Sequence, residues 1–143
     1  MEYKKINTDW NAEPNAPDVK LTVDNTTVKL DFYLNCFNFD RFKADEKGTL
    51  VFNKVHKFSF NSMNDEGYFM GKYRYKQTEL PWGEFYQLDT DWQNDFHENV
   101  IILLPNADNE NLKHFIFFLR DNTFECVAES FQFISGHFEN NIS

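Results

Sequence analysis

Apolar and polar residues alternate along most of this chain with the two-residue period of a half-buried β-strand. The clearest run places Val28, Leu30, Phe32, Leu34 and Cys36 on one face and Lys29, Asp31, Tyr33 and Asn35 on the other. After Cys36 the apolar positions slip by one, to Phe37 and Phe39, as a β-bulge would shift them. A shorter strand, Val19–Val23, precedes this run, and Asp24-Asn25 suits the turn between them. Ala44–Gly48 reads as the next turn and Thr49–Asn61 as the returning strand. Asn64–Gly67 is another turn, followed by strands at Tyr68–Lys76 and, beyond Pro81, at Gly83–Leu88.

The second half of the chain keeps the pattern. Thr90–Gln93 has capping-box spacing, and Trp92 and Phe96 lie one turn apart, which predicts at most one short helix near 91–97. Val100–Leu104 is continuously apolar and stops at Pro105, as a buried strand would. Leu112–Arg120 is apolar on both faces: Phe115, Phe117 and Leu119 on one, Ile116 and Phe118 on the other. A strand in the middle of a sandwich or barrel has that character. Asp121-Asn122 fits a two-residue hairpin turn. The return strand Thr123–Glu129 sets Phe124, Cys126 and Ala128 against Glu125, Val127 and Glu129, and Phe131 and Phe133 mark a final strand.

About eight to nine strands joined by short turns predict an all-β, mainly antiparallel barrel or sandwich, a single domain over residues 18–143. Residues 1–17 are polar, contain Pro14 and Pro17 and show no periodicity, so a flexible N-terminal arm is expected, with Trp10 as the residue able to pin it.

Seventeen of the 143 residues are phenylalanine, which assigns an aromatic core to this sheet. The formal net charge of −9 argues against nucleic acid or an anionic membrane as partner, since both need clustered Lys and Arg. That charge is unevenly spread: −3 over residues 1–40, +4 over 41–76 and −10 over 77–143. An acidic face in the last segment suits a basic protein. The start of the chain lacks the apolar stretch of a signal peptide, and two cysteines, Cys36 and Cys126, lie in strand-like runs. A cytoplasmic protein with reduced thiols is the expectation.

Candidate chemistries are few. Tyr68–Lys76 mixes bases and aromatics, but strand alternation separates Phe69, Tyr73 and Tyr75 from Lys72, Arg74 and Lys76, so stacking and charge do not converge on one ligand. Asp89–Asp95 has acids at the first, third and seventh positions of a calcium loop. It lacks the turn glycine, and Val100 stands where the bidentate Glu is required. The four histidines show no metal-pair spacing; His114 shares a strand face with Ile116 and Phe118 and reads as a hydrogen-bonded core residue. Nothing positive supports a Cys126–His thiolate pair. Five scattered glycines exclude a P-loop. Glu84 and Asp89, five residues apart on a strand, point to opposite faces. The expectation is a non-enzyme without cofactor or metal.

What stands out is tryptophan amid turns and acids. Trp82, Glu84, Asp89, Asp91, Trp92 and Asp95 form the predicted partner-binding set, because Trp anchors interfaces and acids steer a basic partner. The concrete reading is a small acidic inhibitor, of immunity or antitoxin type, that masks a basic partner. A lipocalin-like barrel holding a small apolar ligand and a self-associating, homo-oligomeric subunit are the alternatives.

Overall fold

Strict alternation is realised in β3 (Thr27–Tyr33), where Val28, Leu30 and Phe32 are completely buried and the residues between them are not. The computed structural model describes residues 2–62, 80–105 and 109–135. Around β3 it arranges β1 (Glu2–Lys5), β2 (Lys20–Asp24), β4 (Lys47–Asn61), β5 (Phe85–Asp89), β6 (Ile101–Ile102), β7 (Lys113–Phe118) and β8 (Thr123–Ser135). All eight belong to one sheet, in the order β1-β5-β7-β8-β4-β3-β2, with β6 attached to β4. Every pairing is antiparallel. The fold is therefore all-β, as the alternation predicts, and among the described residues the sheet does not close.

It does curl. Two strands separate β3 from β7, yet the Phe32 and Phe117 rings meet edge to face with centroids 5.4 Å apart. Phe52 of β4 reaches Phe85 of β5 across 5.9 Å. The long partners β4 and β8 produce the bend. At Lys54 the backbone takes φ +50°, and the register slips between Val55 and Lys57. Core-facing residues accordingly change parity at Val55, out of phase with Leu50 and Phe52, and return to the earlier phase at Phe58. Such an irregularity increases local twist and lets one long strand serve two parts of a curved sheet.

The bulge thus lies in β4 and not after Cys36. There the chain leaves the sheet: the Asn35 Oδ1 accepts the N–H groups of Phe37 and Asn38, and Phe37 is 80% exposed. The 91–97 segment, expected to hold at most one short helix, forms one hydrogen-bonded turn, in which the Asp91 carbonyl accepts from the N–H groups of Asn94 and Asp95. Three other expectations are corrected. The hairpin after β7 spans Leu119–Asn122, closed by a bond from the Leu119 N–H to the Asn122 carbonyl. The two expected C-terminal strands are one, β8, unbroken to Ser135. Within Val100–Leu104, only Ile101 and Ile102 pair with β4, and they stand 52% and 57% exposed. The turn Asn64–Gly67 and the strand Tyr68–Lys76 fall outside the described residues.

Residues 2–17 are not a free arm. β1 adds an edge strand to β5, and Ala12 bridges Leu34. Further backbone bonds tie Ile6 to Phe85, Glu13 to Tyr33 and Asn35 to Asn11. Trp10, 4% exposed, sits among Phe32, Phe85, Phe117 and Phe133 and stacks on the last at 4.2 Å. The segment shows no periodicity because one ring, its backbone amides and the polar side chains of Asn7 and Asn11 carry its attachment.

The strand predicted to be apolar on both faces is so. Phe115 and Phe117 of β7 enter the main core, whereas Ile116 and Phe118 pack on the opposite side with Leu80, Tyr86 and Leu88.

Candidate functional site

The six predicted partner-binding residues are divided by β5. Trp82 and Glu84 precede the strand; Asp89 ends it, and Asp91, Trp92 and Asp95 follow. Trp82 is half-buried, its ring 4.8 Å from that of Phe118. Glu84 is committed inward: its Oε2 accepts from the Asn7 Nδ2 at 2.7 Å and pairs with the Lys5 Nζ at 3.3 Å. Its charge fastens the N-terminal segment and is offset there.

Trp92 is also placed differently from the reading of an exposed anchor. It is 7% exposed and packs with Leu112 and Val127. The Lys57 Nζ donates to its carbonyl at 2.8 Å and lies 4.7 Å from the Phe96 ring centroid. Trp92 is thus a plug that fixes the loop 90–99 to the sheet. The acids of that loop, Asp91, Asp95 and Glu98, stay exposed above it, as does Asp89.

Lys57 joins this loop to the next element. In the register of β4 and β6 it faces Ile102, while Phe58 faces Ile101. His56 holds the same segment: its Nδ1 donates to the Leu104 carbonyl at 2.6 Å, and its own carbonyl accepts from Leu103 and Leu104. A well-anchored surface results, carrying two exposed isoleucines beside exposed carboxylates. Sequence reasoning missed the isoleucines because a continuous apolar run reads as buried. Its brevity, two residues from Asn99 to Ile101 and three from Ile102 to Pro105, was the available signal.

A second constellation lies under β5. Thr90 Oγ1 is 2.5 Å from His114 Nδ1, and His114 Nε2 is 3.1 Å from Glu125 Oε1. His114 and Glu125 are both fully buried. His114 is therefore the hydrogen-bonded core histidine that its strand position predicts. Glu125 lies on the face opposite Cys126, as alternation predicts, and that face is a second buried layer. The order carboxylate–imidazole–hydroxyl resembles an acid–base relay, and it opens toward a cavity of about 380 Å³ bordered by Thr90, Trp92 and Lys113. In this fold it cross-links the end of β5 to β7 and β8.

Cys126 faces the other way, into the main core, where burial first and the Glu125 charge second push its thiol well above the ordinary cysteine range. It remains a protonated thiol at neutral pH, and the His114 nitrogens are engaged by Thr90 and Glu125. Both cysteines are free. Among the described residues, no three of His, Cys, Asp and Glu are grouped to hold a metal ion, and no helix is long and apolar enough to cross a membrane. Comparison with family models, curated proteins and solved structures finds no match to the chain.

Proposed function

We propose that the protein is a non-catalytic binding module that masks a basic protein partner, in the manner of a small inhibitor or an immunity or antitoxin protein. The observation that carries this reading is the anchored surface of Asp91, Asp95, Glu98, Ile101 and Ile102. Interfaces combine an apolar centre with a charged rim, and exposed acids accelerate encounter with a basic surface. The Trp92 plug and the Lys57 and His56 bonds hold this surface in shape, which lowers the ordering cost of binding. Free thiols at Cys36 and Cys126 support a reducing, cytoplasmic setting.

A lipocalin-like function is less well supported. The rings that would line its cavity fill one another's space instead, with Phe52 to Phe124 at 5.1 Å and Phe85 to Phe117 at 5.5 Å. Self-association is favoured by one feature, the exposed strand β2 at an end of the sheet path.

The test is capture from the source organism's lysate, identification of the bound protein, and measurement of its association kinetics. One stoichiometric basic protein is expected, binding about tenfold or more slowly when salt rises from low to physiological levels. Reversing Asp91, Asp95 and Glu98 to Lys slows association, and Ile101→Ser with Ile102→Ser speeds dissociation. A salt-insensitive association rate, or unchanged kinetics in both variants, overturns the proposal.

A further inference from the structure

β2 stands at an end of the sheet path, and among the described residues its outer side pairs with no strand. All of its residues are exposed except Leu21, which is half-buried against the main core. Val23 is a large apolar side chain left 43% exposed.

Hairpin geometry fixes which backbone groups face outward. Asp24 and Thr27 flank the two-residue turn Asn25-Thr26 and lie opposite each other in the register. In such a hairpin the flanking pair exchanges both backbone bonds, and bonded pairs then recur at every second residue. Asp24, Thr22 and Lys20 therefore direct their N–H and C=O groups to β3, and those of Leu21 and Val23 point to the open side. The extended edge ends on either side of these residues: Asp18, behind Pro17, takes φ +50°, and Asn25 takes φ +55° in the turn.

In one antiparallel register this edge is complementary to itself. Turning a second copy of Lys-Leu-Thr-Val-Asp about Thr22 sets Lys20 opposite Asp24, Leu21 opposite Val23 and Thr22 opposite its own copy. The outward groups agree with that register. Leu21 and Val23 become the bonded pairs, while Lys20 and Asp24 become non-bonded pairs, in which side chains approach more closely. Opposite charges, threonine pairs and apolar pairs are combinations that stabilise facing strands. Leu21 and Val23 share a face with Leu30 and Val28, the core side, so each Val23 gains cover from the other copy's Leu21. Neighbouring registers fail. A slip of two residues either opposes Asp18 to Asp24 or moves Lys20 against Thr26 in the turn, and a slip of one brings outward amides against inward ones.

We infer that two copies of this chain associate through β2, antiparallel about Thr22, into one continuous sheet. Each copy has one β2, so the two-fold pairing closes on a dimer. The pairing gives the self-association reading a geometry and uses no residue of the acidic surface, so it stands or falls separately from the partner proposed there.

The test is sedimentation of the full chain at low salt, from about 10 μM to about 1 mM. A monomer–dimer equilibrium is expected, with a Kd of order 100 μM, because one short strand pair buries less than a standard interface. NMR on a mixture of isotope-labelled and unlabelled chains should show contacts between Val23 and Leu21 methyl groups of different copies. Lys20→Glu and Asp24→Lys each place like charges opposite one another and should weaken dimerisation about tenfold. An equimolar mixture of the two variants again sets opposite charges across the strands and should dimerise about as well as the wild-type chain. Recovery on mixing excludes a folding defect as the cause of the loss. A chain that stays monomeric to about 1 mM overturns the inference, as do assemblies that grow beyond two copies. So do a dimer without the Val23–Leu21 contacts, single variants that dimerise unchanged, or a mixture that does not recover.

Discussion

Glu125 is fully buried, and His114 supplies one of its hydrogen bonds. Removing one member of a buried charged or polar pair costs more than the pair contributes, because the survivor stays desolvated. His114→Leu is therefore expected to destabilise the protein by about 3–5 kcal/mol. Thr90→Val, which leaves only an imidazole nitrogen without its hydroxyl, should cost about 1–3 kcal/mol. The double variant His114→Leu/Glu125→Leu should recover part of the single loss. Urea unfolding at neutral pH measures all three, and a larger effect for Thr90→Val than for His114→Leu would contradict this account. The residue scale also marks a limit of the sequence. Alternation assigns Glu125 to the side away from Cys126, but it does not say whether that side is wet. Likewise the spacing of Trp92 and Phe96 locates a turn, while the burial of Trp92 depends on Leu112, Val127 and Lys57, which are distant along the chain.

Strands were legible because their period is two and their ends are marked by turn residues; β3, β4, β5, β7 and β8 follow the hydrophobic pattern closely. Irregularities were not. A slip in parity arises either from a bulge within a strand or from departure from the sheet, and the residues after Cys36 do the second. The true irregularity, at Lys54, is masked by Val55 and Phe58, whose apolar character fits either phase. Gly48, at the start of β4, shows how closely the two long strands are matched. A Cβ there would lie 2.8 Å from the Phe133 ring and 2.9 Å from Leu34. The ring has little freedom to retreat, since it lies parallel to Trp10 within 2°. Gly48→Ala is thus expected to cost about 1–3 kcal/mol by overpacking, and to perturb tryptophan fluorescence by unseating Trp10. An unchanged urea midpoint and an unchanged emission spectrum would mean that Phe133 moves freely.

For the molecule as a whole, the decisive feature is that the sheet curls around rings from five of its eight described strands, and the wedge that completes the curl comes from outside the regular pattern. Trp10 contacts Phe32 of β3, Phe85 of β5, Phe117 of β7 and Phe133 of β8, joining β3 to the β5-β7-β8 side of the sheet across the intervening β4. Sequence composition points to an aromatic core, yet a lone Trp between polar residues gives no phase from which to infer its depth. Burial of a large aromatic at such a junction is worth more than its area alone, because the surrounding strands cannot close the gap without uncurling. Trp10→Ala is expected to cost about 3–5 kcal/mol, lowering Tm by roughly 10–15 °C for a chain of this size. Trp10→Phe, which keeps a ring in the junction, should cost clearly less. Deleting residues 2–12 should be at least as damaging as Trp10→Ala, since it removes β1 and the bonds from Ile6 and Asn11 as well. A mobile arm would give the opposite result, leaving Tm unchanged in all three variants, so thermal melts of the set decide whether the first strand and its tryptophan belong to the folding unit.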